Sequence, residues 1–205
     1  IRAHGDKAVF SGNLGTFFHD MCDFFGMEEY FVRMYTDPQV VHAATDRLVD
    51  FYVEANDRFF REAGDSFDIF LIVNDFGTQR DLFMSLEQFR TFILPGFRRL
   101  IEVGKKHGKV IMLPSCGSIY RVIPDLIDAG VDILHPIQAM AAHMDAETLA
   151  REFGRDLAFC GGVDTQDKLV NWSPEQIREE VLRLRDVFGG NLIVSASHEE
   201  ILPNI

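Results

Sequence analysis

The chain has 205 residues, of which 47% are hydrophobic and 25% are charged, so we expect a folded rather than a disordered protein. Its net charge of -12 and pI near 4.9 argue against nucleic-acid and membrane surfaces, which need clustered Lys and Arg. No apolar run approaches the roughly 20 residues of a bilayer span, and the three cysteines form no C-x-x-C pair or disulfide framework. These features predict a cytoplasmic protein without nucleic-acid or membrane partners.

Short apolar runs bounded by Gly, Asp or Pro predict strands at six places along the chain. Amphipathic segments between them predict helices, and Ser85 and Ser173 each open a capping box, the second with Pro174 at the first helical position. The predicted strands are residues 8–11, 69–74, 110–113, 133–134, 157–160 and 192–195.

The segment 37–64 is predicted to be one long helix that begins at Asp37-Pro38. Its apolar residues recur with helical spacing, so we expect them to lie on one face and to pack in the core. They are Val40, Val41, Ala44, Leu48, Phe51, Tyr52 and Phe59.

Alternation of strands and helices indicates a parallel sheet covered by helices, because parallel strands need crossover connections. An open doubly wound sheet and a closed barrel both satisfy this pattern. Every predicted strand except the first ends on polar residues, and a barrel gathers such ends in one mouth, where barrel active sites lie. The sequence therefore favours an α/β fold, a (β/α)8 TIM barrel forming a single domain over residues 1–205. Because such a barrel usually takes about 250 residues, we expect the first strand-helix units to be missing here.

Three residues after predicted strands are the candidates for chemistry. Cys116 lies in a Ser-Cys-Gly-Ser turn ahead of a helix, where a lowered thiol pKa would favour metal binding or attack on an electrophile; a packed structural thiol is the alternative. Asp75 in "VNDFGTQ" and Asp164 in "GGVDTQ" are predicted to be catalytic carboxylates. For both, an aspartate that caps the next helix is the alternative, and it weighs most at Asp164.

Histidines and amides at strand ends extend the candidate site. His198 follows the last strand and is predicted to be catalytic, as an acid, base or ligand, although a lone histidine is more often structural. Arg80 and Arg121 could pair with substrate carboxylates, or could be solvated helix residues. The predicted substrate-binding residues are Gln79, Arg80, His135, Gln138, Asp20 and His19.

Four stretches resemble the uroporphyrinogen decarboxylase superfamily, which includes methyltransferases that act with methylcobalamin and corrinoid proteins. They are "NDFGTQRDLFMS", "FILPGFRRLIEVGKKHGKVIMLPSCGSIYRVIPDLIDAGVDILHPIQ", "MDAETLAREFGRDLAFCGGVDTQ" and "SASHEEILPNI". The resemblance implies a (β/α)8 barrel with its site in the mouth, and it places the decarboxylase's arginines and pyrrole-binding aspartate outside this sequence.

The same resemblance shows departures at functional positions. The C-terminal histidine of the decarboxylases matches His198, but a decarboxylase tyrosine falls near His19 and Asp20. Zinc methyltransferases of the superfamily have His-x-Cys where this chain has Pro114-Ser115-Cys116, and a second cysteine that is absent here. Cys116 is therefore the one matching metal ligand, which leaves a conventional zinc site in doubt because catalytic zinc needs about three protein ligands.

Three functions follow from the resemblance. The first is corrinoid-linked methyl transfer or demethylation, with no covalently bound cofactor and a corrinoid carried by a partner protein. The second is uroporphyrinogen III decarboxylation in porphyrin biosynthesis, with a tetrapyrrole substrate. The third is a barrel that binds a tetrapyrrole without turnover, because fold alone does not fix function. The methyl donor and the oligomeric state stay open, with a homodimer among the alternatives.

Overall fold

The computed structural model describes residues 6–11, 15–198, 200, 201 and 203. Its helices and strands alternate from Ile69 onward, after three N-terminal helices. The helices are α1 (Phe17–Phe25), α2 (Met27–Thr36), α3 (Pro38–Ala63), α4 (Leu86–Gln88), α5 (Leu94–Lys106), α6 (Ile123–Ala129), α7 (Ala146–Phe153), α8 (Lys168–Asn171) and α9 (Pro174–Phe188). The strands are β1 (Ile69–Leu71), β2 (Val110–Pro114), β3 (Ile133–Ile137), β4 (Ala158–Val163) and β5 (Leu192–Ala196).

The strands form one parallel sheet in the order β1-β2-β3-β4-β5. Ile69 is in register with Val110, and Phe159 with Leu192. This order follows the chain and has no reversal, so it lacks the switch point of a doubly wound sheet and is the order found in a β/α barrel. The prediction of an α/β fold of the barrel type is confirmed.

Five of the six predicted strands are present, and the first is not a full strand. At residues 8–11 the chain forms a single parallel bridge, from Phe10 to Ile69, supported by the Ser11 N–H bond to the Ile69 carbonyl at 2.8 Å. The prediction of a strand here was wrong in extent, although the segment does run beside β1.

Contacts divide the chain into two compact units, which are described separately. Unit 1 comprises Ile1–Asp75, Met84–Leu113 and Asp128–Val131, and unit 2 comprises Phe76–Phe83, Pro114–Ile127 and Asp132–Ile205. The prediction of one domain over residues 1–205 stays a prediction.

In unit 1, α3 is the long helix that the sequence predicts, but its buried face matches the predicted one only in part: Val41 is buried as predicted, whereas Ala44, Leu48, Tyr52 and Phe59 are half-buried. Phe51 and Val40 were expected in the core, yet they are 63% and 48% exposed. The buried stripe is Val41, Thr45, Val49, Asn56 and Phe60. Two adjacent stripes on this helix have similar spacing, and the helix buries the one that includes two polar residues.

The segment from Leu86 to Lys106 begins and continues in different helical forms. The predicted capping box is confirmed, since Ser85 Oγ accepts from Gln88 N–H and Gln88 Oε1 accepts from Ser85 N–H, both at 3.1 Å. Residues Phe89–Ile93 then form a π-helical turn, in which the Leu94 N–H donates to the Phe89 carbonyl. Pro95 has no backbone N–H to donate to a preceding carbonyl, so it is compatible with the change of hydrogen-bonding pattern at this turn. The chain then continues as α5.

Unit 2 contains β3, β4 and β5 with their covering helices. Its second capping box is also confirmed, because Ser173 Oγ accepts from Gln176 N–H while Gln176 Oε1 accepts from Ser173 N–H. Leu184 of α9 packs at the outer side of β4, 3.3 Å from where a β-carbon on Gly162 would lie. These contacts fix β4, whose C-terminal end leads to Asp164.

Candidate functional site

In unit 1, the structure brings His19 of α1 to Asp75. The backbone N–H of Asp75 donates to His19 Nε2 at 3.0 Å, and His19 Nε2 lies 3.8 Å from Asp75 Oδ2. Both side chains are accessible, at 37% and 40% exposure. The two residues were predicted for different roles, and they form one pair that a substrate could reach.

Asp20 also lies on α1, and its carboxylate is held by hydroxyl groups. Tyr52 OH donates to Asp20 Oδ2 at 2.7 Å, and Thr16 Oγ1 donates to the same oxygen at 3.1 Å. Burial raises the pKa of Tyr52, and the bond to the Asp20 carboxylate raises it further. Tyr52 therefore keeps its proton at neutral pH and donates it to Asp20. Two hydroxyl groups thus hold the Asp20 carboxylate in place.

Asn74 was not among the predicted site residues, and it anchors the helix that carries His19. Its side chain is fully buried, Oδ1 accepts from Phe18 N–H at 3.0 Å, and Nδ2 donates to the Gly15 carbonyl at 2.8 Å. The signal in the sequence was a polar residue at the end of the apolar run that predicts a strand. A buried amide is stable where its oxygen and its nitrogen both have hydrogen-bond partners, as they do here.

In unit 2, the turn that carries Cys116 is held by four hydrogen bonds. Phe76 N–H donates to Ser115 Oγ at 3.1 Å, Ser118 N–H to the Thr78 carbonyl at 2.7 Å, and Ser118 Oγ to the Ala142 carbonyl at 2.7 Å. The fourth comes from Gly117 N–H to Gln138 Oε1, at 2.6 Å. The 115–118 turn is therefore rigid around the Cys116 thiol.

Gln138 has a structural function in that arrangement. Its side chain is 6% exposed, and its carbonyl oxygen satisfies the buried Gly117 N–H. Substrate binding by Gln138 stays a prediction, while support of the turn is what the structure shows.

Cys116 and His198 meet at the C-terminal side of the strands in unit 2. Cys116 Sγ lies 3.8 Å from His198 Nε2, and Glu200 N–H donates to His198 Nδ1 at 3.0 Å. A nitrogen that accepts a hydrogen bond carries no proton, so the neutral ring bears its proton on Nε2. The imidazole therefore presents an N–H donor to sulfur.

Asp164 is almost completely buried and its carboxylate caps the following turn. Oδ1 accepts from Gln166 N–H at 3.0 Å, and Oδ2 accepts from Asp167 N–H at 2.9 Å and Lys168 N–H at 3.0 Å. These bonds match the capping alternative rather than a catalytic carboxylate. A catalytic role for Asp164 stays a prediction that the geometry does not favour.

At Gln79 and His135, two other predicted site residues of unit 2, the structure shows backbone hydrogen bonds. The Gln79 carbonyl accepts from Ala142 N–H at 3.0 Å, and the His135 carbonyl accepts from Ser115 N–H at 2.6 Å. Arg80 is exposed, whereas Arg121 pairs with Asp81 Oδ2 at 3.0 Å. Arg80 is thus the more available of the two arginines for an anionic substrate group.

Among the described residues, no group of three or more His, Cys, Asp or Glu side chains could hold a metal ion. Catalytic zinc takes about three protein ligands, and the proton on His198 Nε2 occupies the nitrogen that would bind metal. The residues that the structure describes do not fit the zinc site of the superfamily.

Two cavities, one within each unit, lie away from most of these residues. In unit 1 a groove of about 540 Å³ is lined by α1 and α3, including Phe24 and Phe51, and it includes no predicted site residue. In unit 2 a cavity of about 360 Å³ is lined by Asp164, Lys168, Glu180 and Arg183. Its charges neutralise one another, since Glu180 accepts from Lys168 Nζ and Arg183 Nε, both at 2.8 Å.

Over the described ranges, no helix is long and apolar enough to span a bilayer.

Parallel strands in chain order, with Asp75, Cys116 and His198 after their C-terminal ends, define an α/β protein of the β/α-barrel class. The family model for uroporphyrinogen decarboxylase (URO-D) matches residues 2–205. The chain therefore belongs to the uroporphyrinogen decarboxylase superfamily, as its motifs predict.

Two relatives from Methanosarcina mazei are methyltransferases. The chain is 28% identical over 158 residues to a methylated-thiol–coenzyme M methyltransferase, covering 75% of this chain and 40% of the relative. A solved structure of a methyltransferase has a TM-score of 0.73 at 18% identity, covering 99% of this chain and 57% of that one. The chain thus spans about half the length of these relatives, and the structural likeness supports the fold.

Proposed function

We propose that this chain belongs to a methyltransferase that moves a methyl group from a small methylated thiol to a corrinoid carried by a partner protein. The superfamily and the similarity to a methylated-thiol–coenzyme M methyltransferase support the proposal. A carboxy-lyase acting on a tetrapyrrole is the alternative, and the exposed Arg80 is the observation that favours it, since it could bind a substrate carboxylate.

The contact between Cys116 and His198 is the observation that carries the proposal. A methylated thiol that loses its methyl group leaves as a thiolate, so negative charge develops on sulfur in the transition state. His198 Nε2–H already faces a sulfur at 3.8 Å, and the Glu200 amide fixes its orientation. A preorganised donor at such a position stabilises the developing charge.

The proposed methyl transfer conserves atoms and charge, and it needs no metal ion bound to this chain. The bond from carbon to sulfur in CH3–S–R breaks, the bond from carbon to the reduced cobalt of the acceptor forms, and the thiolate takes a proton from solvent to give HS–R. In this step the His198 Nε2–H, which also faces Cys116 Sγ, is shared with the leaving sulfur and stabilises it. Cys116 packs against the same imidazole and keeps it in place.

The first test is a methyl-transfer assay on the full-length protein with ethyl methyl sulfide and chemically reduced cob(I)alamin, followed by absorbance. We expect methylcobalamin to form, His198→Ala to lower the rate by about 10²-fold or more, and His198→Gln to retain more activity through its amide N–H. Ser173→Ala, which removes a helix cap in the same unit, is the control for lost stability.

Three outcomes would overturn the proposal. The first is methyl transfer that is unchanged in His198→Ala. The second is release of CO2 from uroporphyrinogen without any methyl transfer, which would favour the carboxy-lyase. The third is absence of both reactions together with tight binding of a tetrapyrrole, which would favour a barrel that binds without turnover.

Metal content of the full-length protein is the second test. We expect no stoichiometric zinc by mass spectrometry, in the wild type or in Cys116→Ser. Stoichiometric zinc that is lost in Cys116→Ser would make Cys116 a ligand and would contradict the metal-free mechanism.

A further inference from the structure

One flank of α3, in unit 1, forms an apolar groove. Phe51 lies at its centre and is 63% exposed. Two cavities of about 540 and 530 Å³ meet at Phe51 and Glu54, so the groove runs along several turns of the helix. Single exposed apolar side chains are ordinary, whereas a continuous apolar groove is typical of a contact surface. We call this surface the open flank of α3, and its apolar residues are Ala44, Leu48, Phe51 and Ala55.

The other flank of α3 packs against α5. Arg99 and Lys106 of α5 form ion pairs with three aspartates of α3, namely Asp46, Asp50 and Asp57. With about 3.6 residues per turn, these aspartates and the open flank lie on either side of the buried stripe of α3. The open flank meets α1 at one end, and from Phe51 to Glu62 the described residues that line it all belong to α3.

The order of strands and helices indicates which element belongs at the open flank. The segment that carries α3 connects residues 8–11 to β1, and the segment that carries α5 connects β1 to β2. In a β/α sheet whose strands follow chain order, each helix packs between the helices of the preceding and the following unit. The helix that precedes residues 8–11 in the full-length protein therefore falls beside the open flank.

Charged residues border the open flank on its solvent side. Arg47 and Glu54 are exposed, lie seven residues apart on one side of the apolar residues, and have no ion-pair partner in the part of the chain that the structure describes. The apolar residues themselves are separated by four, three and four positions, which is the spacing at which two helices interdigitate. The groove therefore fits an amphipathic helix with an acidic residue near Arg47 and a basic residue near Glu54.

We propose that the open flank is the docking surface for a helix encoded ahead of residue 1, in the strand-helix unit before residues 8–11. The relatives have the length for such a unit, since this chain covers 57% of the solved methyltransferase and 40% of the curated one. The docked helix runs parallel to α3, because consecutive helices of a β/α barrel point the same way. Its acidic partner for Arg47 therefore precedes its basic partner for Glu54, by about two turns.

Protection of the open flank is measured by hydroxyl-radical labelling of the full-length protein, read by mass spectrometry against the same protein unfolded in urea. We expect Phe51 to be protected as strongly as Phe60, which is 3% exposed within unit 1. Labelling of Phe51 at close to its rate in the unfolded protein would overturn the proposal. Protection that is lost on dilution, as a dimer dissociates in light scattering, would overturn it in favour of a second copy of the chain.

The docked segment is identified by photo-crosslinking, with p-benzoylphenylalanine in place of Phe51 in the full-length protein. We expect irradiation to join position 51 to a peptide from the stretch ahead of residue 1, within one monomer. A crosslink to a second copy, a crosslink to another part of the chain, or no crosslink at all would overturn the proposal.

A matched pair of variants measures how much the docked helix stabilises the full-length protein. Ala55→Asp places a carboxylate on the open flank, whereas Ala43→Asp places the same group at an exposed position of the same helix. We expect Ala55→Asp to melt about 5 °C below Ala43→Asp, because a charge buried without a partner is costly. Equal melting temperatures in the two variants would contradict the docking.

Discussion

Gly117, next to Cys116, has a conformation and a neighbourhood that exclude a side chain. Its φ is +80°, and an added β-carbon would lie 2.4 Å from the carbonyl carbon and oxygen of Gly77 and 2.6 Å from the Thr78 oxygen. The left-handed conformation costs an alanine about 1–2 kcal/mol, and forcing a methyl group against backbone adds about 1–3 kcal/mol. We therefore expect Gly117→Ala to lower the free energy of unfolding by about 2–5 kcal/mol.

Urea unfolding followed by circular dichroism measures this loss. Gly108→Ala is the matched control, because Gly108 has a φ of +68° but an added β-carbon would meet nothing within 4 Å. That variant should lose only about 1–2 kcal/mol. Displacement of the turn should also make the Cys116 thiol react faster with a disulfide reagent, with Cys116→Ser as the blank. Equal losses in the two glycine variants would refute the argument from close approach.

Three further predictions concern buried polar groups. Gln138→Leu should cost about 1–3 kcal/mol because it orphans the Gly117 N–H, and Gln138→Glu should recover most of that in urea unfolding; equal losses would contradict the role of this bond. The ion pair with Arg183, aided by a neighbouring lysine, holds the pKa of Glu180 at about 2, below its ordinary 4.5. Glu180→Gln should therefore lose about 1–2 kcal/mol at pH 7, after allowance for the exposure of Arg183, and thermal melts should show this loss fading as pH falls from about 4.5 towards 2. A loss independent of pH would refute that linkage. Asp164→Asn should lose about 1 kcal/mol of stability and keep methyl transfer in the cobalamin assay, whereas abolished turnover in a folded variant would make Asp164 catalytic.

Features that depend on neighbouring residues could be predicted from the sequence. The capping boxes at Ser85 and Ser173 need only residues three positions apart, and both form as predicted. The parallel sheet followed from alternation of strands and helices, which is also local. The placement of Cys116 and His198 in unit 2 after strand ends follows from the same topology, but their contact does not, because 82 residues separate them in sequence.

Features that depend on partners distant in sequence could not be predicted. The exposed Phe51 and the buried Thr45 lie on two stripes of α3 that repeat with similar helical spacing. Only packing against neighbouring helices decides which stripe is buried. Asn74 and Asp164 look alike in sequence, as polar residues after apolar strands. Asn74 binds the start of a helix 55 to 60 residues earlier in the chain, whereas Asp164 binds the turn that follows Asp164 itself. The residue type alone does not distinguish these two outcomes.

The π-helical turn at Phe89–Ile93 has a consequence for comparing this chain with its relatives. A π turn holds one more residue than an α turn, so loss of a single residue there would leave a continuous α-helix and would hardly change the direction of the side chains after it. The buried side chains of α5, including Phe97, Leu100 and Ile101, would then still point the same way relative to α4. A one-residue gap in an alignment at this place would therefore mark a change of helix type, and the apolar side chains after it would stay on the same face.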